Sequence, residues 1–201
     1  EILPQLYNVS SFGCSMITIP LKNGTSLEVK LLASPFQEEG ELMLQMFFEN
    51  KRVYSVCFSC TDQGSAWIGG IQGGKDISND EVKALTKELY GTRPKNLIIT
   101  LLYGLLRHFN IREIYAIDSD YHVKSDKVKA SYSELWLEIG GEKQRRGWYK
   151  LPPQEIKKSL EEVKSKHRSQ FIKRESLKEQ AQLDLIAALR QISVGNNTNQ
   201  P

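Results

Sequence analysis

The sequence predicts an α+β fold: a mixed sheet made of an antiparallel meander and a following helix–strand–helix–strand run, with a C-terminal helical appendage. Three observations carry this prediction. Up to about residue 75 the chain reads as short alternating or β-branched runs separated by turn residues, the clearest being Asn23-Gly24. From Asn79 onward the apolar spacing lengthens to the helical period. Beyond Pro153 the composition shifts to a charged stretch, Gln154–Ile192, that contains no glycine.

Met16–Leu21 is the first candidate strand, and Asn23-Gly24 turns it back into the alternating Leu27–Ala33. Ser34-Pro35 and Glu38-Glu39-Gly40 mark the next turn. Glu41–Glu49 and Arg52–Thr61 follow as strands, and Ser65–Gln72 closes the meander on Gly73-Gly74. Ser78 or Asn79 then caps a helix over Asn79–Tyr90, with Glu81 in its first turn and Val82, Leu85 and Leu89 on its apolar side. Pro94 takes a favoured first-turn position, and Leu97–Phe109 is apolar enough to lie against a sheet. Ile111–Ile117 is the central strand. Ser131–Ile139 carries Tyr132, Leu135 and Trp136 on one helical face and stops at Gly140-Gly141, before a last strand, Trp148–Leu151. Residues 1–152 are therefore read as one α/β domain, 153–192 as a helical extension and 193–201 as a disordered tail. No internal repeat is visible.

With 201 residues, 40% hydrophobic and 25% charged, the chain has the composition of a soluble globular protein with a sizeable core. A net charge of +3 does not announce a nucleic-acid partner. No apolar run reaches the length of a membrane span, and no signal peptide is visible. The chain opens on Glu1 rather than Met, as expected of a fragment or processed form. Three cysteines make no disulfide framework, and Cys57-Phe-Ser-Cys60, although it matches C-x-x-C, falls in a strand with no second ligand pair. Two buried strand cysteines, no metal and a reducing cytoplasmic setting follow.

Chemistry concentrates between Gly91 and His122. Gly91-Thr-Arg-Pro-Lys-Asn places Arg93 and Lys95 at the start of a helix, where backbone N–H groups and the helix dipole favour an anion. The alternative is that both are solvated turn charges. The central strand then ends in Asp118, Ser119, Asp120 and His122, at the edge where open α/β sheets collect ligands. His122 is a candidate general base oriented by Asp118, or else a surface loop histidine. Trp67-Ile-Gly-Gly-Ile-Gln is the other unusual stretch. Gly69 and Gly70 suit a bulge or a close approach, with Trp67 and Gln72 turned toward a substrate, or a tight bend without one. Arg145-Arg146-Gly147-Trp148 reads as turn charges beside a packed strand. The basic residues of 157–174 read as a solvated face or as a peripheral contact with an anionic membrane surface.

The order of elements resembles the GCN5-related N-acyltransferase layout, which implies an acyl-CoA or acyl-carrier-protein donor held at Gly91, Arg93 and Lys95. The chain departs from that layout in lacking its spaced-glycine phosphate loop and in inserting the Asn79–Tyr90 helix. More specifically, Trp67-Ile-Gly-Gly-Ile-Gln-Gly, Leu89-Tyr-Gly-Thr-Arg-Pro-Lys-Asn-Leu, Asp118-Ser-Asp-Tyr-His-Val, Leu135-Trp-Leu-Glu-Ile-Gly-Gly, Trp148-Tyr-Lys-Leu-Pro and Ser165-Lys-His-Arg together resemble the VirK/YbjX family, over roughly residues 15–180. That resemblance implies a Gram-negative bacterial protein tied to virulence, antimicrobial-peptide resistance and lipopolysaccharide or lipid A modification, with members longer at the N-terminus. It implies no established activity.

Two functions fit these readings. One is an acyltransferase-like enzyme, acting at the inner face of the inner membrane on an amine or hydroxyl of an envelope component. The other is a non-catalytic module that binds an envelope or virulence factor. A continuous cleft joining Arg93, Gln72 and His122 would support the enzyme; those groups lying apart on a flat face would support the module.

Overall fold

A computed structural model describes residues 14–123 and 132–197 of the chain. Its sheet has eight strands in the order β1-β2-β3-β4-β5-β6-β8-β7. The first five, β1 (Cys14–Pro20), β2 (Ser26–Ala33), β3 (Leu42–Phe48), β4 (Lys51–Cys60) and β5 (Ser65–Gly73), form the expected meander. The Asn23-Gly24 turn closes its first hairpin, with Asn23 Oδ1 accepting the Thr25 N–H at 3.1 Å. Two helices follow, α1 (Asn79–Glu88) and α2 (Pro94–His108), and return the chain to β6 (Glu113–Ile117). That crossover makes β6 parallel to β5, the one parallel pairing among the described strands. A short helix α3 (Tyr132–Glu138), a two-residue strand β7 (Glu142–Lys143) and β8 (Trp148–Leu151) complete the sheet, and α4 (Arg168–Asn197) follows.

The local chemistry explains these boundaries. Ser78 is the cap of α1: its side chain accepts the Glu81 N–H while Glu81 accepts the Ser78 N–H, a reciprocal capping box. Pro94 sits in the first turn of α2, where a missing N–H costs no helical bond. β7 escaped the sequence reading because two residues carry no period. The expected Gln154–Ile192 helix is shorter at its start, beginning only at Arg168. Residues 154–164 have no apolar stripe to bury, and Ile156 and Leu160 are exposed. At its other end the helix runs on to Asn197, into the stretch expected as a disordered tail; residues 1–13 and 198–201 lie outside the described residues.

Strand register divides the core. Leu44, Val56 and Ile71 line up on one face of the sheet, Gln45, Ser55 and Gln72 on the other. Helix α2 covers the first face: its Ile99, Leu102 and Leu106 meet Ile68, Ile114 and Leu151. Beside α2, and against β1, lies α4, whose Ala181, Leu185 and Leu189 join the same buried core. At the crossing, a Cβ on Gly104 would stand 2.9 Å from Gln182 Cγ, so the absent side chain sets how closely α4 approaches. Cys57 and Cys60 are buried thiols, and burial with the nearby Glu41 pushes the Cys60 pKa up to about 12. Such a thiol is a poor nucleophile at neutral pH.

Candidate functional site

The second face of the sheet is where polar groups gather. Between β5 and β4 the register steps from Cys57↔Gly70 to Phe58↔Ile68, leaving Gly69 as a bulge. The β2–β3 link, residues 34–41, folds over this bulge as a strap. A Cβ on Gly69 would lie 1.9 Å from the Glu39 carbonyl oxygen. The bulge and the missing side chain thus let backbone pass directly over backbone, and the strap delivers Glu39 to the sheet. Its side chain is fully buried.

There Glu39 meets Gln72 and His122. Gln72 Nε2 donates to Glu39 Oε1 at 3.1 Å and to Oε2 at 3.0 Å. His122 Nε2 stands 3.8 Å from Glu39 Oε2, and the imidazole is also fully buried. A Cβ on Gly70 would be 2.6 Å from Glu39 Oε2 and 3.2 Å from His122 Nε2. Gly70 therefore keeps open the space the carboxylate and the imidazole share. Tyr132 packs edge-on to His122 at 5.7 Å and anchors the start of α3 by donating its N–H to Ser119 Oγ. Burial, with Glu39 and Cys57 adding to it against a hydrogen bond to the Ile71 backbone, pushes the Tyr132 pKa up to about 12.

The position of this cluster follows from topology. Parallel pairing of β5 and β6 ends at Ile68↔Ala116. Past it, β5 continues through Gly69, Gly70 and Gln72, and β6 leads through one 3-10 turn (Ser119–Tyr121) to His122. The cluster thus occupies the C-terminal mouth of the parallel pair, the position where ligands gather in sheets of this kind.

The remaining candidate residues are placed around it. Asp118 is buried and engaged by other side chains: it accepts a hydrogen bond from Ser133 Oγ at 2.7 Å and pairs with Lys143 Nζ at 3.2 Å. Burial pushes its pKa up, and the bonds from Ser133, Lys143 and the Asp120 backbone more than reverse this, leaving it below the usual value. Arg93 caps no N–H of α2 with its side chain and pairs with Glu138 of α3 at 3.4 Å. Asn96 donates to the other Glu138 oxygen at 3.4 Å. Lys95 is half-buried and Gly91 is exposed beside Gln170 of α4. Trp67 lies on the cluster's face of the sheet, stacked on Tyr115 at 4.5 Å and edge-on to Trp148 at 4.8 Å. Structure therefore joins Gln72, Gly69, Gly70 and His122, and links Arg93 to them only through α3. Tyr132 touches His122 at one end of that helix and Glu138 holds Arg93 near the other, roughly 9 Å along the axis at 1.5 Å per residue. Among the described residues no group of three His, Cys, Asp or Glu side chains stands close enough to hold a metal ion.

Glu39 is the residue the sequence concealed. A glutamate before glycine in a turn reads as solvated, and only the glycine pair on β5, two strands away, signals that something must pass close by.

Asp118→Asn tests the other buried carboxylate. Losing its ionic partners is expected to cost about 1–3 kcal/mol at neutral pH. Because the folded pKa is lowered, that stabilisation is fully present above the ordinary carboxylate range and fades as pH falls through the folded value. Denaturation curves of the two proteins should therefore converge below about pH 4; a gap independent of pH would show that Asp118 contributes no charge.

The fold and this cluster define a class: an α+β domain with a mixed, mostly antiparallel sheet and a buried carboxylate–amide–imidazole group where its parallel strands part. The chain belongs to the family described as "Protein of unknown function (DUF535)", whose model matches residues 1–187. It is 27% identical over 176 residues to the uncharacterized protein YbjX of Escherichia coli K12, covering 81% of this chain and 53% of that protein. This match bears out the VirK/YbjX resemblance read from the motifs. An uncharacterized protein of Haemophilus influenzae is 30% identical over 141 residues, covering 68% of this chain and 48% of that protein. The chain spans about half the length of the curated relatives it matches. Among solved structures, a mutant form of a cAMP-binding acyltransferase from Mycobacterium smegmatis aligns with a TM-score of 0.46 and 8% identity, over 94% of this chain and 60% of that one.

Proposed function

We propose that this chain is an acyltransferase-like domain with His122 as its general base. The observation that carries the reading is the Glu39–His122 pair, 3.8 Å apart, at the C-terminal mouth of the parallel strands, with Gly70 lacking the side chain that would collide with both groups. In the proposed step an acceptor amine or hydroxyl gives its proton to His122 Nε2 as it attacks the carbonyl carbon of a thioester. The new C–N or C–O bond replaces the C–S bond, and the departing thiolate recovers the proton from His122. Glu39, held on both oxygens by Gln72, stabilises the imidazolium formed in between. An acyl-CoA or acyl-carrier-protein donor would place its phosphates near the α2 start, where Arg93 and Lys95 lie. In this reading the acceptor lies on an envelope component, and the transfer serves lipid A modification and antimicrobial-peptide resistance. The exposed basic residues between 157 and 174 would meet the inner face of the inner membrane. Among the described residues no helix is long and apolar enough to cross one.

The full burial of His122 supports a second reading, in which Glu39, Gln72 and His122 are a latch that fastens the strap of a non-catalytic module. Thiol release from acetyl-CoA, palmitoyl-CoA and acyl-carrier protein separates the two, with glucosamine and ethanolamine as acceptors. The enzyme reading expects acceptor-dependent release that falls about 10²–10⁴-fold in a folded His122→Ala variant. No release and no thermal shift with any of these donors would leave the latch.

A further inference from the structure

We infer that the cavity between α2, α4 and the segment after β8 is a binding site for a small amphipathic anion, a carboxylate or phosphate on an apolar body. The site does not depend on the reading of His122: it lies at the opposite end of the parallel strands. There Leu151 pairs with Ile114 near the start of β6, whereas His122 follows that strand's far end.

The cavity has a volume of about 650 Å³, within the size range of small-molecule sites. Among its lining residues is Tyr103, a buried residue whose hydroxyl has no hydrogen-bond partner among the described residues. A buried polar atom left without a partner is costly and rare in folded proteins. Burial, with the charge of Glu155 adding to it, pushes the tyrosine pKa well up, so the hydroxyl stays a donor. Pro152 and Ile156 give the cavity an apolar wall, and Arg107 and Lys157 stand on its lining as cations. Neither cation has an ion-pair partner among the described residues.

The lining acid, Glu155, is already engaged: it pairs with Lys178 and accepts Thr100 Oγ1 at 3.1 Å. These contacts fix the 152–157 segment against α2 and α4, and Ile156 is seated over Gly140, where an added Cβ would lie 2.5 Å from its Cδ1. What remains unmatched in a formed cavity is one hydroxyl donor and two positive charges beside an apolar wall. An anion carried on an apolar body matches all three.

Phenyl phosphate and benzoate are the probes, titrated into the full chain and followed by amide and aromatic NMR shifts, with inorganic phosphate and cyclohexylamine alongside. Saturable shifts around Tyr103 and Arg107 are expected with either ring-bearing anion, more tightly than with inorganic phosphate and not with the cation. Response to phenyl phosphate alone would assign the phosphate, and to benzoate alone the carboxylate. Tyr103→Phe should bind roughly 2- to 10-fold more weakly, the worth of one hydrogen bond. Its thermal midpoint without ligand should equal or exceed the parent's, because it removes an unpartnered group. Arg107→Glu should weaken binding about tenfold or more; Lys157→Glu, on an exposed residue, serves if that variant does not fold. Equal binding of inorganic and phenyl phosphate, or variants that bind like the parent, would overturn the assignment.

Discussion

Gly69→Ala is expected to lower the unfolding free energy by about 3 kcal/mol, the upper end of what overfilling a packed site usually costs. The added carbon would stand 1.9 Å from the Glu39 carbonyl oxygen, a backbone atom that cannot rotate away. Either the strap lifts or the bulge flattens, and both pull Glu39 off Gln72. Gly24→Ala is the natural comparison. Nothing lies within 4 Å of its added carbon, but its φ of +85° leaves a left-handed penalty of about 1–2 kcal/mol. Urea denaturation of both variants decides the matter. If Gly69→Ala costs no more than Gly24→Ala, the strap does not sit where the structure places it.

Glu39→Ala should cost about 3–5 kcal/mol, as when one member of a buried polar pair is deleted. The truncation leaves the Gln72 amide without its two acceptor oxygens and His122 beside an empty volume. Glu39→Gln keeps the volume and one acceptor, so its loss should be smaller. A double-mutant cycle with Gln72→Ala is expected to show a coupling of roughly 0.5–3 kcal/mol, since residues in one network do not add. Additive losses would mean that Gln72 and Glu39 act independently and that no cluster exists.

The sequence made the sheet legible because its signals are local. Asn23-Gly24, the capping Ser78 and Pro94 each act within a few residues, and each sits where its own backbone preference puts it. The amphipathic run from Leu97 onward announced a helix that the sheet and α4 both bury. The site was harder to read because it depends on tertiary placement. His122 and Gln72 stood out by type and position, yet the acid beside His122 is Glu39, from a turn in the first half of the chain, and not Asp118, four residues before it. No periodicity reports that a turn will fold over a bulge two strands away. Arg93 was visible as a cation at a helix start, but its pairing with Glu138 depends on where α3 packs. The start of α4 at Arg168 rather than Gln154 has a related reason: charged residues with good helix propensity do not stay helical without an apolar face to bury.

The crossover to β6 also sets an order of events in folding. Ile68 and Ala116, the last pair before β5 and β6 part, are about fifty positions apart in the chain. The meander pairings close much shorter loops, and contacts distant in sequence must first meet a larger loss of chain entropy. Glu39 and Gln72 can therefore come together as soon as the meander forms. His122 joins them only when α1, α2 and β6 have docked. The imidazole is therefore expected to join the cluster last, so that its signal in a refolding experiment would report when the two halves of the chain have become one molecule.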